Sequence, residues 1–378
     1  MAVENGGMLY YTEHRYYGKS WPLGNDSLSQ LEYLSVRQAL ADLAHFISYQ
    51  KSHSAHLANA KVILVGGSYS GSMVAWMADL YPELIDASWA SSAPLLAKAD
   101  FNEYMEMVSN SINLRYGRKC TQRIRRGLQY LAHILNGNES REVLEQLNAC
   151  PHFNVSDQLD RAAFFNGIDN YFALIVQSYS SYIPDLCETL MSLHPTDEQA
   201  MFKFLQLLYG KNGSNCLDFS YKAMLQLFTD LSDQNSGTRA WFFQTCNEFG
   251  WYTTTAGSGS SDFANQVPLL FFECLCRDAF GRRQTAAHLT DGIAQTNAQF
   301  GGLNFNQTVR YRQVFFTHGE LDPWRALGKQ FGHQALLIPG YSHCEDLGSI
   351  NVGQSIPMNL AKLRVMSFLR RHLYSQLH

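Results

Sequence analysis

The stretch Lys61–Ser72 reads KVILVGGSYSGS. A run of β-branched and aliphatic residues, Val62–Val65, stops at two glycines and gives way to small residues around one hydroxyl, Ser68. The run has the length of a buried strand, and Ser72–Leu80 (SMVAWMADL) has the texture of a helix that ends before Pro82. At a sharp strand-to-helix turn the two backbones nearly touch, so the residues two before and two after a central serine must be small. Gly66 meets that demand on one side. Ser70, on the other, departs from the strict G-x-S-x-G pattern while staying small, and Gly71 follows one position later. Such a turn presents the Ser68 hydroxyl at a helix N-terminus, where the backbone N–H of Tyr69 would face a developing oxyanion. The rival reading of a glycine-rich turn is a phosphate cradle. The chain has no GxxxxGK[ST], and no GxGxxG with an acidic residue about twenty positions on.

Working outward, Met8–Thr12 (MLYYT) reads as a short buried strand. Apolar residues at helical spacing through Leu28–Gln50 predict a helix capped by Asp26 or Ser27, and Leu84–Ala90 predicts another strand. This alternation implies a parallel sheet with helices on its faces. From about Asp100 to about Phe300 the pattern turns helical, through Phe101–Leu114, Glu142–Leu147, Arg161–Val176, Glu198–Tyr209 and Tyr221–Leu231. Thr253–Ser261 (TTTAGSGSS) reads as a flexible loop. Strands resume at Arg312–Thr317 and Ala335–Ile338, and Ser355–Tyr374 closes the chain as an amphipathic helix.

A serine hydroxyl is a weak nucleophile until a base takes its proton. In this architecture the expected chain order is Ser, then Asp or Glu, then His. Asp322 lies in the loop after the first resumed strand, and His343 in the loop after the second. His343 would take the Ser68 proton, with Asp322 holding its tautomer. Each residue alone has a plain reading, a turn aspartate before proline and a loop histidine. The ordered set of three, each just past a predicted strand, points to nucleophilic catalysis.

Composition bounds the rest. The chain has 378 residues, 46% hydrophobic, with net charge −4 and no long basic block, which leaves nucleic-acid binding without support. No apolar run approaches the ~20 residues of a membrane span. The start, MAVENGGMLYYTEH, lacks the pattern of a secretory signal, which taken literally argues for the cytoplasm. Eight dispersed cysteines argue the other way, for disulfides in an oxidising compartment; only Cys274 and Cys276 are close, so no metal site is expected, nor any cofactor. Glycosylation sequons at Asn25, Asn138, Asn154, Asn212 and Asn306 add to the secreted or lysosomal reading.

Several stretches, GGSYSGSMVAW, EHRYYGKSWP, SSAP, QTCNEFGWY, HGELDPW and GYSHCEDL, together resemble the serine peptidase family of lysosomal Pro-X carboxypeptidase, dipeptidyl peptidase 2 and thymus-specific serine protease. The matches run from Tyr11 to about Leu347, and SHCED is closest to the thymus-specific branch. The resemblance implies an α/β-hydrolase fold in which 1–99 and 309–378 form the sheet domain and 100–308 a mainly helical cap. It implies the triad Ser68, Asp322 and His343, Trp324 as a wall of the pocket before the scissile bond, and peptide substrates. Ser72, the other pocket residue implied, stands where prolyl-selective members carry a bulky apolar residue, which argues against a proline preference. A disulfide from Cys246 to Cys274 or Cys276, favouring Cys276, is also implied. Family members carry further strands and an oxyanion loop ahead of EHRYYG. The expectation is therefore an N-terminally truncated chain lacking the first strands, with a gap between Met8–Thr12 and Val62–Val65 in a sheet of order 1-2-4-3-5-6-7-8. The expected activity is exopeptidase-type proteolysis. An impaired homologue acting as a binding protein, an esterase of the same fold, and a homodimer are the alternatives left open.

Overall fold

The computed structural model describes residues 2–23, 27–210, 215–231, 237–256, 262–304 and 311–374. Its strands are β1 (Ile63–Gly67), β2 (Ala87–Ser91), β3 (Lys98–Asp100), β4 (Gly250–Tyr252), β5 (Val314–Gly319) and β6 (Ala335–Ile338). The main sheet has the order β1-β2-β5-β6, all parallel, with Gly66 opposite Ala90, Trp89 opposite Phe315 and Thr317 opposite Leu336. Side chains alternate across it. Trp89 and Phe315 pack on Val365, Phe368 and Leu369 of the closing helix Ile356–Leu373. Ala90 and Phe316 face the larger core, which holds Trp76 of the helix Tyr69–Leu80. The result is a parallel sheet with helices on both faces, as the strand–helix alternation predicts.

Most of the other described helices run between Glu103 and Phe300, with β3 and β4 paired beside them as a two-stranded parallel sheet. Close contact holds this layer together. Gly127 lies so near Met201 that a Cβ there would meet its Cβ at 2.3 Å. Buried Arg123 donates to the Asp197 carboxylate and to the carbonyls of Leu190, Met191 and His194, satisfying a helix end that has no further turn to bond. Disulfides join Cys120 to Cys187, Cys150 to Cys216 and Cys246 to Cys276; Cys274 and Cys344 are free thiols.

Three local expectations are corrected. Met8–Thr12 is not a strand: Met8 and Leu9 are each 66% exposed, Tyr11 is 92% exposed, and among the described residues no strand pairs with them. Apolar letters without a pairing edge do not make a buried strand. The sheet therefore has no gap flanked by that segment; β1 is an edge of the described sheet. The first long helix starts at Val36, where the Ser35 hydroxyl accepts from Gln38 N–H and the Glu248 carboxylate accepts from Val36 N–H. Ser27 lies outside that helix, and Asp26 falls outside the described residues, as does most of the TTTAGSGSS segment.

Candidate active site

Ser68 sits at φ 56°, ψ −131°, between β1 and the helix Tyr69–Leu80. A positive φ at a non-glycine residue costs ~1–3 kcal/mol and is held only where its surroundings enforce it. Here Ser68 N–H donates to Ser91 O at 2.9 Å, tying the turn to the end of β2. The crowding is explicit. A Cβ on Gly66 would lie 2.2 Å from Ser70 O, and one on Gly71 would lie 2.7 Å from Ser91 O. The tight positions are thus two before and three after the serine. Ser70 is exposed, with its hydroxyl donating to Gly67 O at 2.7 Å, which explains why this position tolerates a side chain. Tyr69 opens the helix, so no preceding turn takes its backbone N–H.

Asp322 follows β5 and is fully buried. Its Oδ1 accepts from Trp324 N–H at 3.0 Å and from His343 Nδ1 at 2.9 Å, which assigns the proton to Nδ1 and leaves Nε2 as the basic nitrogen. Gly319 makes this meeting possible. A Cβ there would lie 2.3 Å from Tyr341 O and 2.4 Å from Ser342 O, so the loop carrying His343 crosses directly over the end of β5. Leu321 N–H donates to Tyr341 O at 2.8 Å and closes the two loops together. Burial pushes the imidazole toward neutrality, but the Asp322 charge and hydrogen bond outweigh it and raise His343 above its ordinary value. Burial likewise works against the Asp322 carboxylate, yet the charge of His343 holds it well below the usual range.

The His343 loop also approaches the serine turn. Cys344 N–H donates to Ser92 Oγ at 2.9 Å, and a Cβ on Gly67 would lie 3.0 Å from Cys344 Sγ and 2.5 Å from Leu347 Cδ1. The structure thus brings Asp322 and His343 into hydrogen-bond contact and sets their loop beside the residue before Ser68. No hydrogen bond joins Ser68 Oγ to His343 among the described residues. Catalytic hydrogen bonds are often long before substrate binds. Trp324 is half-buried, 5.8 Å from Trp251, 5.3 Å from Tyr104 and 6.2 Å from His343 between ring centroids. Ser72 lies on the helix Tyr69–Leu80. It is fully buried and its hydroxyl donates to Pro94 O at 2.6 Å, so it is turned into the backbone rather than onto an open wall.

Two groups of residues around the site carried no individual role in the sequence reading. Gln177, near the end of the helix Gln158–Ser178, accepts His343 N–H through its carbonyl, and its side-chain oxygen accepts from Trp324 Nε1 at 2.8 Å and Tyr104 O–H at 2.7 Å. A second group surrounds the Tyr69 ring. His14 donates from Nδ1 to Arg15 O at 2.7 Å, and its Nε2 accepts the Tyr69 hydroxyl at 3.1 Å; burial favours this neutral form. Gln244 Nε2 donates to the Tyr69 hydroxyl at 3.0 Å, and Gln244 Oε1 accepts from Tyr17 O–H at 2.7 Å. Glu248, beside Gln244, is pushed up to about 7 by burial. His14 and Tyr17 lie in EHRYYGKSWP, and Gln244 and Glu248 in QTCNEFGWY. The two motifs therefore converge on the residue after Ser68. Their tight grouping in sequence was the available signal.

Asn138 and Asn154 are exposed; Asn25, Asn212 and Asn306 fall outside the described residues. Among the described residues no group of three or more His, Cys, Asp or Glu side chains could hold a metal ion. No described helix is long and apolar enough to cross a membrane.

Known proteins resemble the chain along nearly its whole length. The profile of the serine carboxypeptidase S28 family fits residues 1–365. Thymus-specific serine protease of Mus musculus is 30% identical across 98% of this chain and 75% of its own length. The Homo sapiens protein of that name is also 30% identical, across 99% of this chain and 75% of its own length. Lysosomal Pro-X carboxypeptidase of Bos taurus is 27% identical, across 98% and 75%. With a parallel sheet flanked by helices and a family profile spanning nearly its whole length, the chain belongs to the serine carboxypeptidase S28 family and is a serine-type peptidase of α/β-hydrolase fold.

Proposed function

We propose that Ser68, His343 and Asp322 are the catalytic triad of this peptidase. The observation that carries the reading is the 2.9 Å His343–Asp322 hydrogen bond, made by loops beyond the ends of β5 and β6, at the sheet end where β1 delivers Ser68 in a positive-φ turn. His343 Nε2 takes the proton from Ser68 Oγ as the oxygen attacks the scissile carbonyl. The Tyr69 N–H donates to the resulting oxyanion. His343 then protonates the leaving amine, and water, activated by the same imidazole, releases the acyl group.

We read 1–99 and 309–378 as the sheet domain and 100–308 as a cap over the site, with Trp324 walling the pocket for the residue before the scissile bond. Gln177 supports that division, because a cap helix holds both Trp324 and the His343 loop. Exopeptidase action is favoured by the relatives whose names carry carboxypeptidase. A secreted or lysosomal location is supported by three disulfides and by relatives whose names carry lysosomal. The test is a panel of peptides with free or blocked ends, with and without proline before the cleaved bond, set against simple esters and run beside Ser68→Ala. Cleavage limited to peptides with a free end, abolished in Ser68→Ala, is expected. Ester turnover without peptide cleavage would point to an esterase, and no turnover by a folded chain to a binding role.

A further inference from the structure

His318 lies on β5, four residues before Asp322, and its side chain is fully buried. Its Nδ1 is 3.9 Å from Asp322 Oδ2. Among the described residues neither ring nitrogen of His318 has a hydrogen-bond partner, and neither does Asp322 Oδ2. Asp322 Oδ1, by contrast, carries both His343 and Trp324 N–H. The far edge of the His318 ring is walled by Gly328, where a Cβ would lie 2.3 Å from Cε1 and 2.4 Å from Nε2.

We propose that His318 is a positioning residue for the reaction: its Nδ1–H donates to Asp322 Oδ2 in the engaged site and fixes the carboxylate so that Oδ1 stays on His343. This rests on the triad reading above. Nδ1 is the nitrogen that faces the unpartnered oxygen, and a neutral imidazole can carry its single proton there. The present separation must shorten by about 0.7 Å to reach hydrogen-bond range, the kind of closure that catalytic contacts show when substrate arrives. Buried polar atoms are rarely left unpaired, and this one bond would satisfy two of the three orphans. Packing alone does not explain the residue, since an apolar side chain would fill a fully buried strand position without leaving polar atoms unpaired. Charged and titratable groups around the Asp322–His343 pair are Arg325 and Tyr104 near Asp322, the Cys344 thiol beside His343, and Glu320 near Arg325. None is altered in the variants below.

The experiment compares kcat/KM against pH for the full chain, His318→Phe, His318→Asn and Asp322→Asn on one cleaved peptide. His318→Phe is expected to lose ~10-fold, in line with other residues that orient a catalytic ligand. Its acid limb should move upward by about half a unit, because a carboxylate with one donor fewer holds the His343 imidazolium more strongly. His318→Asn keeps an N–H near the Nδ1 position and should stay within about threefold with its limb in place. A purely structural role would lower the rate or the stability without moving the limb. An unmoved limb in His318→Phe, or a limb equally displaced in His318→Asn, would overturn the proposal. If His318→Phe does not fold, His318→Leu takes its place with the same expectation. Wild-type activity in Asp322→Asn would overturn the triad reading and this inference with it. Loss of activity in Asp322→Asn with no limb shift in the His318 variants would overturn this inference alone.

Discussion

Gly71→Ala tests the geometry of the serine turn in numbers. The added Cβ would lie 2.7 Å from Ser91 O, 3.1 Å from Ala93 Cβ and 3.2 Å from Gly66 O, where ordinary contact begins at 3.4 Å. Two of these neighbours are backbone atoms of strands that pair with each other, so the helix Tyr69–Leu80 has to retreat by about 0.7 Å. Ser91 O is also the acceptor for Ser68 N–H, so the retreat pulls on the bond that fixes the turn. Overpacking of this kind costs ~1–3 kcal/mol of stability, and a displacement near 1 Å at reacting groups costs ~10² in rate. The expected result is a folded protein, destabilised by about 2 kcal/mol, whose acylation by a fluorophosphonate is slowed by roughly 30- to 100-fold. Ser70→Gly is the control. It removes two exposed hydrogen bonds, one from the Ser70 hydroxyl to Gly67 O and one from Gly67 N–H to that hydroxyl, each worth ~1 kcal/mol or less, and should leave acylation within about threefold. The assay is the acylation rate beside a denaturant melt for each variant. Wild-type acylation by Gly71→Ala, or greater harm from Ser70→Gly, would refute the argument that crowding falls three residues after the serine.

Three further outcomes follow from the same contacts. Asp322→Asn should drop kcat by ~10⁴ and lower the acid limb of the pH profile, since the charge that raises His343 is removed; an unchanged limb would contradict that cause. Glu248 holds its proton in the fold up to about 7 but releases it near 4.5 when unfolded, so its contribution is full below 4.5 and is lost as pH rises to 7. The wild-type minus Glu248→Gln stability difference should therefore fall across that window by up to about 3 kcal/mol, less where water reaches the carboxylate, and a difference that rises instead would reverse the sign of the argument. Cys276→Ser opens a loop spanning 30 residues and should cost ~2–4 kcal/mol in a melt under oxidising conditions, with no further loss on adding reductant that is specific to this bridge.

What was legible in the sequence was local. The strand, the glycine pair and the ordered Asp322 and His343 each sit in a short pattern that their own neighbours enforce, and the family motifs recorded which patterns belong together. The departures come from contacts between distant segments. MLYYT has strand-like letters, but pairing needs a second edge that no local window can show. The first helix starts late because Ser35 and a carboxylate 212 residues away, Glu248, cap it. Gln177 acts on Trp324 and His343 across 147 residues and more, from a helix whose periodicity says only that it packs. Ser72, set by the resemblance at a pocket position, bonds to the carbonyl of Pro94, a partner 22 residues away. His318 is unremarkable in HGELDPW until burial leaves its ring without partners.

The central claim is that Ser68 is the nucleophile and that His343 activates it. The most direct measurement is the site of covalent labelling, by peptide mapping after a fluorophosphonate reaction of the full chain. A single phosphonyl adduct on Ser68 is predicted, absent in Ser68→Ala and formed at least ~10³ times more slowly in His343→Ala. An adduct on any other serine, or labelling that survives Ser68→Ala unchanged, would contradict it.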